Sequence, residues 1–282
     1  MLRILADTAA DITKDRATEW GVELITIPIE FEDGPHEQGG EEDIRRFYEK
    51  LQQSRELPRT SQPIFGELVE KFEEIREAGD EAVVLLLSRT ISGTVESAQK
   101  ARELVGYDGI DIIDTKNGTT GQSLIVQMAV ALRNQGLSRV QMIEKLQWVI
   151  DHVEAMASVD TLEYLKKGGR IPPALAIVGN ALKLKPLIHF NPQGQLVSLR
   201  RDRGTKAAHR NMIQEMVNAQ VHPDYPVLVG YTSNRTIAEE VRDRLSELLD
   251  REDIELRPIS GVVGTHLGTN SVSIAAVVEQ RP

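Results

Sequence analysis

The chain has 282 residues, which suits one large domain or two smaller ones. Its net charge of −10 disfavours nucleic acid and anionic membrane surfaces as partners. It has no cysteine, which excludes disulfides, thiolate zinc sites and a cysteine nucleophile. Because we find no signal-peptide pattern and no apolar run near the roughly 18 residues of a membrane span, we expect a cytoplasmic protein with no integral membrane segment.

Strand and helix patterns alternate through the N-terminal half of the chain. The predicted strands cover residues 2–6, 22–29, 82–87 and 110–113. The predicted helices cover residues 41–53, 63–78, 94–104, 121–134 and 138–152. The segment 82–87 is apolar throughout, as expected of a strand buried in a parallel sheet. This order predicts a parallel sheet covered by helices.

The pattern changes after residue 159. A basic segment with glycines and prolines covers residues 166–173, and a Gly-rich loop is predicted at 261–268. Further strands are predicted at 186–190, 195–199, 227–231, 254–258 and 272–278, and helices at 205–219 and 236–249. We predict a two-domain α/β protein, with the parallel sheet in an N-terminal domain (1–159) and a mixed sheet in a C-terminal α/β domain (160–282).

Two hydroxyl-rich turns precede predicted helices. One is Thr60-Ser61-Gln62-Pro63, with the proline suited to a first helical turn, and the other is Ser92-Gly93-Thr94. Hydroxyls and free N–H groups at a helix start suit an anion, and Gly93 would let a ligand approach the backbone. Helix capping is the simpler role, but a cap uses only one hydroxyl. We therefore predict an anion site at Thr60, Ser61, Ser92, Gly93 and Thr94.

Other polar residues are expected near this site. Asp7 and Asp114 each end a predicted strand, and ligands of open parallel sheets lie beyond the carboxyl ends of the strands. Hydrogen bonds within turns are their alternative role. His266 lies in the predicted Gly-rich loop, which could bring its imidazole to the anion, although a lone histidine is more often structural.

A basic cluster follows the predicted strand 195–199 and contains Arg200, Arg201 and Arg203. In so acidic a chain it suggests a docking surface for an acidic partner or for phosphates. A solvated face is the alternative.

Several nucleotide, metal and hydrolase signatures are missing from the sequence. We find no glycine-rich dinucleotide fingerprint, P-loop, nucleophile elbow or metal-binding histidine spacing. The sequence therefore predicts no NAD site, no P-loop and no metal site.

Motifs spread over nearly the whole chain resemble those of one family. They begin with Asp7-Thr8-Ala9-Ala10-Asp11 and continue with the two hydroxyl-rich turns, Asp114-Thr115-Lys116 and Lys185-Pro186. The most specific match is the segment 162–171, which reads LEYLKKGGRI. In order and spacing they resemble the DegV family of bacterial fatty-acid-binding proteins. The segment around His266 departs from the family pattern, because it keeps the histidine but lacks the usual Gly-Pro pair.

The resemblance implies a carrier that buries a long-chain fatty acid and uses no cofactor. The carboxylate would be held at Thr60 and Ser92, with Ser61, Gly93, Thr94 and His266 nearby. In parts of the family a separate kinase phosphorylates the bound fatty acid, so a fatty-acid kinase is an implied partner. Arg170 and the cluster around Arg201 would then contact that kinase.

Two other functions stay open at this stage. In a hydrolase, Ser92 would attack, His266 would act as base, and Asp7 or Asp114 would orient it, although no nucleophile elbow is present. A binding module for a phosphate ligand could use the same helix starts. Aromatic residues make up only 4% of the chain, which leaves few surfaces on which a nucleotide base could stack.

Overall fold

A computed structural model describes residues 1–171 and 184–282 of the chain. The strands are β1 (Leu2–Asp7), β2 (Val22–Ile25), β3 (Ile29–Phe31), β4 (Gly34–Pro35), β5 (Arg59–Thr60), β6 (Glu81–Leu86), β7 (Ile110–Asp114), β8 (Val153–Ser158), β9 (Leu184–Phe190), β10 (Leu196–Arg203), β11 (Leu228–Tyr231), β12 (Glu255–Pro258) and β13 (Val272–Val277). The helices are α1 (Lys14–Trp20), α2 (Glu41–Gln53), α3 (Phe65–Ala78), α4 (Thr94–Val105), α5 (Thr119–Asn134), α6 (Arg139–His152), α7 (Glu163–Lys167), α8 (Thr205–Asn218), α9 (Arg235–Leu249) and α10 (Gly261–Leu267).

The first sheet is parallel and has the strand order β2-β1-β6-β7. β1 and β6 lie at its centre, and both of their faces are buried, with Ile4 and Val83 on one face and Leu5 and Val84 on the other. Alternate side chains point to opposite faces, so one face packs on α3 and α4 and the other on α5 and α6.

The second sheet is mixed and has the strand order β10-β9-β8-β13-β11-β12. Only β11 and β12 pair in parallel, and the other described pairs are antiparallel. α8 and α9 cover one face, and α5 packs on the other. α5 therefore lies between the two sheets, and 11 of its 16 residues are buried.

A small third sheet, with the order β4-β3-β5, lies beside α2 and α10. Ile29 and Phe31 of β3 pack with Phe47 of α2 and Val262 of α10 in one apolar cluster. The hydroxyl of Tyr48 donates to the carbonyl of Ile259 (2.9 Å), just before α10. α2 thus holds α10 in place.

The predicted α/β architecture, a parallel sheet covered by helices and a mixed sheet beyond it, is confirmed. The division into domains 1–159 and 160–282 stays a prediction. β8 lies before that boundary but pairs within the mixed sheet.

Two sequence-based assignments are wrong. The predicted strand 22–29 is two strands in different sheets, because Pro28 has no N–H for a sheet and the N–H of Ile27 bonds to the hydroxyl of Thr8 (3.0 Å). The predicted loop 261–268 is largely helical. Its glycines allow α2 to pack closely against it, since a Cβ on Gly261 would lie 2.7 Å from the Phe47 ring.

Two boundaries also differ from the prediction. The helix predicted at 63–78 begins at Phe65, with Ile64 as its N-cap, so Pro63 lies outside its first turn. β10 runs to Arg203, which places the whole arginine cluster within a strand and not after one. The basic segment 166–173 extends beyond the described residues.

Two buried aspartates connect α5 to its surroundings. Asp7 accepts a hydrogen bond from Nε2 of Gln122 (3.1 Å). Asp11 accepts from the Thr119 hydroxyl and from the backbone N–H of Ser260 (2.8 Å). Burial raises the pKa of Asp7 to about 6 and that of Asp11 to about 7, because desolvation outweighs these hydrogen bonds. Both carboxylates therefore fix α5 in place through hydrogen bonds, although burying their ionised forms is unfavourable.

Replacing Asp11 with asparagine is expected to remove a pH-dependent loss of stability. The folded-state pKa of about 7 lies above the ordinary value of 3.8, so the folded protein binds this proton more tightly than the unfolded chain does. As the pH rises from 3.8 to about 7, the free energy of unfolding of the native protein therefore falls by on the order of 4 kcal/mol relative to that of Asp11→Asn. Urea unfolding at several pH values in this range measures the free energy of unfolding. Asp108→Asn, at an exposed position, is the control. Parallel pH profiles for the native protein and Asp11→Asn would contradict this account.

Candidate functional site

A cavity of about 320 Å³ lies between the two sheets. Most of its wall is apolar. Its residues come from the segments that follow β2 and β6, from strands of the mixed sheet and from α10. They include Ile27, Leu87, Ala157, Ile188, Phe190, Val262 and Leu267. Its volume is at the lower end of the range for small-molecule sites. The wall is thus suited to an apolar ligand.

One region of the wall is polar, and we call it the polar mouth. It consists of Thr60, Ser61, Gln62, Ser92, Gly93, Arg170 and His266. Ser61 and Gln62 are exposed, which places this region at the surface. The Gln62 amide lies against Gly93, where a Cβ would be 2.3 Å from Nε2, and its Oε1 accepts from the Ser97 hydroxyl (2.9 Å). The absence of a side chain at Gly93 therefore makes room for Gln62.

His266 is partly buried in the polar mouth. Its Nε2 lies 3.1 Å from the hydroxyl oxygen of Thr60, and its Nδ1 is buried without a hydrogen-bond partner. Burial, reinforced by the positive charge of Arg170, lowers the pKa of His266 to about 4, so the ring is neutral at pH 7. In the tautomer that carries its proton on Nε2, the ring donates to Thr60. The Thr60 hydroxyl is then free to donate into the cavity.

The motif at 162–171 positions His266. A Cβ on Gly168 would lie only 2.2 Å from Nδ1 of His266, so the ring rests directly on this glycine. Tyr164 packs in the same way on Gly268, whose φ of +71° also favours glycine. In the sequence, the specificity of the motif at 162–171 is the one signal that points to Gly168 and Tyr164.

Arg170 lies in the cavity wall. Its Nε donates to the carbonyl of Ile91 (3.1 Å) and its Nη1 to that of Gly168 (2.7 Å), which joins the Ser92 turn to the His266 side of the mouth. We expected Arg170 to contact a partner. The structure places it beside the cavity, where it brings positive charge to the polar mouth.

The two hydroxyl-rich turns differ from what we expected. Ser92 does precede α4, and its hydroxyl oxygen lies 2.8 Å from that of Thr94. Thr94 is fully buried and does not line the cavity, so it supports Ser92 instead of meeting a ligand. Thr60 pairs with Ile29 in the small sheet and is not at a helix start. The expectation that both turns are helix N-termini is therefore wrong for the first.

Asp7 and Asp114 do not line the cavity, contrary to expectation. Asp7 is fully buried, and Asp114 pairs with Arg89 (3.3 Å). The arrangement of a serine hydrolase is not assembled here, because Ser92 bonds to Thr94, while His266 bonds to Thr60 and to neither aspartate.

The arginine cluster lies apart from the cavity, on β10. Arg200 forms ion pairs with Asp202 (3.1 Å) and Glu215 (2.9 Å), while Arg201 and Arg203 are exposed. Its role in docking stays a prediction.

Within residues 1–171 and 184–282, no three histidine, aspartate or glutamate side chains are grouped so that they could hold a metal ion. Each helix in these two ranges is too short or too polar to span a bilayer.

The fold and the site define an α/β protein with an apolar cavity that opens at a polar mouth. A family model described as "Uncharacterised protein, DegV family" matches residues 1–279. The chain belongs to the DegV family.

Relatives and solved structures agree with this assignment. A DegV domain-containing protein of Streptococcus pneumoniae is 30% identical over 279 residues, which is 98% of each chain. The crystal structure of a fatty acid binding DegV family protein from Streptococcus agalactiae superimposes with a TM-score of 0.89 at 27% identity, covering 99% of each chain. That of DegV from Bacillus subtilis, described as a fatty acid binding protein, gives 0.83 at 26% identity, covering 99% of each chain.

Replacing Gly168 with alanine is expected to displace His266. The backbone φ of −76° suits alanine, but its Cβ would overlap Nδ1, so the ring must leave its buried position. Its pKa should then rise from about 4 towards the ordinary 6.5, which an NMR titration of the imidazole protons measures. Gly66→Ala, with nothing near its new methyl group, is the control. An unchanged His266 titration in Gly168→Ala would contradict this packing.

Proposed function

We propose that this protein binds a long-chain fatty acid, with its carboxylate at Thr60 and Ser92 and its acyl chain in the cavity. The observation that carries the proposal is an apolar cavity that opens at one cluster of hydroxyls, with Arg170 beside it. Two solved relatives described as fatty acid binding support it. Ser61, Gly93 and His266 surround the proposed carboxylate position.

The polar mouth suits a carboxylate for a physical reason. Hydroxyl donors that meet a charged acceptor form stronger hydrogen bonds than neutral pairs, and the start of α4 adds a partial positive charge at Ser92. Neutral His266 holds Thr60 so that its hydroxyl can donate to the ligand. Arg170 supplies positive charge that favours the ionised carboxylate.

Burial of the acyl chain supplies most of the affinity in this proposal. At roughly 0.8 kcal/mol for each methylene, a chain of about 14 methylenes contributes on the order of 11 kcal/mol before ordering costs. The few hydrogen bonds at the mouth contribute less and fix the orientation of the ligand.

We propose that the protein is a carrier and not an enzyme. The hydroxyl of Ser92 faces no histidine base, since His266 is bonded to Thr60. Because Ser61 and Gln62 are exposed, a carboxylate at this mouth would lie near the surface, within reach of a partner such as a fatty-acid kinase. The exposed Arg201 and Arg203 remain our candidates for its docking surface, and we expect the protein to act in the cytoplasm.

Removing a hydroxyl at the mouth is expected to weaken fatty-acid binding without unfolding the protein. Each of Ser92→Ala and Thr60→Val should reduce palmitate affinity about tenfold, because a charge-assisted hydrogen bond is lost. Calorimetric titration of delipidated protein measures the affinity, and a thermal melt checks the fold. Thr18→Val, on an exposed face of α1, is the control.

Mass spectrometry of the purified protein, native and after organic extraction, tests the ligand class itself. We expect a stoichiometric long-chain fatty acid in the extract. An empty protein that takes up neither palmitate nor oleate would overturn the proposed function, and unchanged palmitate affinity in both variants would overturn the carboxylate position.

A further inference from the structure

A second polar position lies in the cavity wall, where α5 meets the mixed sheet. Thr120 and Ser273 both line the cavity, with exposed fractions of 0% and 1%, and their hydroxyl oxygens lie 3.1 Å apart. No hydrogen bond links this pair to the polar mouth within the described residues. The polar mouth accounts for the carboxylate and leaves this second position without a role.

The sheet forms a recess around the pair. Ser273 of β13 lies between Ala157 of β8 and Gly230 of β11, the partners on either side. Directly opposite residues share a face of a sheet, so Ser273 is flanked by the two smallest side chains. A Cβ on Gly230 would lie 2.4 Å from the Ser273 oxygen and 2.6 Å from Cγ2 of Thr120, so any side chain there would fill the recess.

The pair has one hydrogen-bond donor to spare. Two hydroxyls carry two O–H groups, and the bond between them uses one. Neither hydroxyl has another hydrogen-bond partner among the described residues. The neighbouring Thr119 offers no substitute, because its hydroxyl already donates to Asp11. A fully saturated hydrocarbon chain against this wall would leave a buried donor unsatisfied, which is unfavourable.

We propose that Thr120 and Ser273 form a specificity-determining subsite that binds an oxygen substituent, hydroxyl or keto, on the acyl chain of a fatty acid. This inference rests on the proposed function, because it takes the carboxylate to lie at Thr60 and Ser92. The spare O–H donates to the substituent oxygen. The N-terminus of the 16-residue α5, at whose first turn Thr120 lies, adds a partial positive charge that favours an acceptor there.

The test compares stearate with a set of monohydroxystearates that differ in the position of the hydroxyl. Delipidated native protein should bind at least one isomer about tenfold more tightly than stearate, as expected for one buried hydrogen bond gained. The double variant Thr120→Val/Ser273→Ala should lose this preference and bind stearate at least as tightly as before. Calorimetric titration or native mass spectrometry in competition gives the ratios.

The double variant should remain folded, because replacing both partners of a buried hydrogen bond with apolar groups of similar shape is nearly neutral. Thr232→Val is the matched control, since that buried threonine bonds to Ser271 outside the cavity wall and should keep the preference. The single variant Thr120→Val keeps the Ser273 hydroxyl, so it should retain part of the preference for the hydroxystearate.

Three outcomes separate this proposal from the proposed function. Equal affinity of native protein for stearate and every isomer would overturn the subsite alone, whether or not the double variant folds. A preference that survives in a folded double variant would also overturn it. Failure to bind stearate and all isomers would overturn the proposed function, and the subsite with it.

Discussion

The arrangement of both sheets and of the cavity wall rests on helix α5, in which 11 of 16 residues are buried. The helix separates the two sheets, and Gly121 allows it to approach β8 so closely that a Cβ there would lie 2.7 Å from that of Ala155. Its first turn carries polar groups that bond towards both sheets, Gln122 to Asp7 of β1 and Thr120 to Ser273 of β13. Because the first turn of α5 also reaches the space between the sheets, the same helix forms part of the cavity wall.

The carboxylates beside α5 and the imidazole at the mouth show two responses to burial. Desolvation raises the pKa of Asp7 and Asp11, and it lowers that of His266. In all three cases burial favours the uncharged form. For the aspartates this lowers the stability of the fold once they are ionised, while His266 stays neutral and can bond to Thr60.

Glycines determine the shape of the site more than its polar residues do. Gly168 carries the ring of His266, Gly93 makes room for Gln62, and Gly230 keeps the recess beside Ser273 open. In each case a side-chain carbon would lie under 2.5 Å from a polar atom of the neighbour. The polar atoms therefore lie where they do because the opposing chain has no side chain.

The alternation of strands and helices and most of the residues that line the mouth can be predicted from the sequence. This is possible because apolar periodicity is local, and because Thr60, Ser61, Ser92, Gly93 and His266 belong to short motifs. Three features require the folded chain: Thr60 lies in a strand, 261–268 is largely helical, and Thr94 does not line the cavity. Those outcomes depend on contacts across the chain, such as Phe47 on Gly261 and Gly168 beneath His266, which no local pattern encodes.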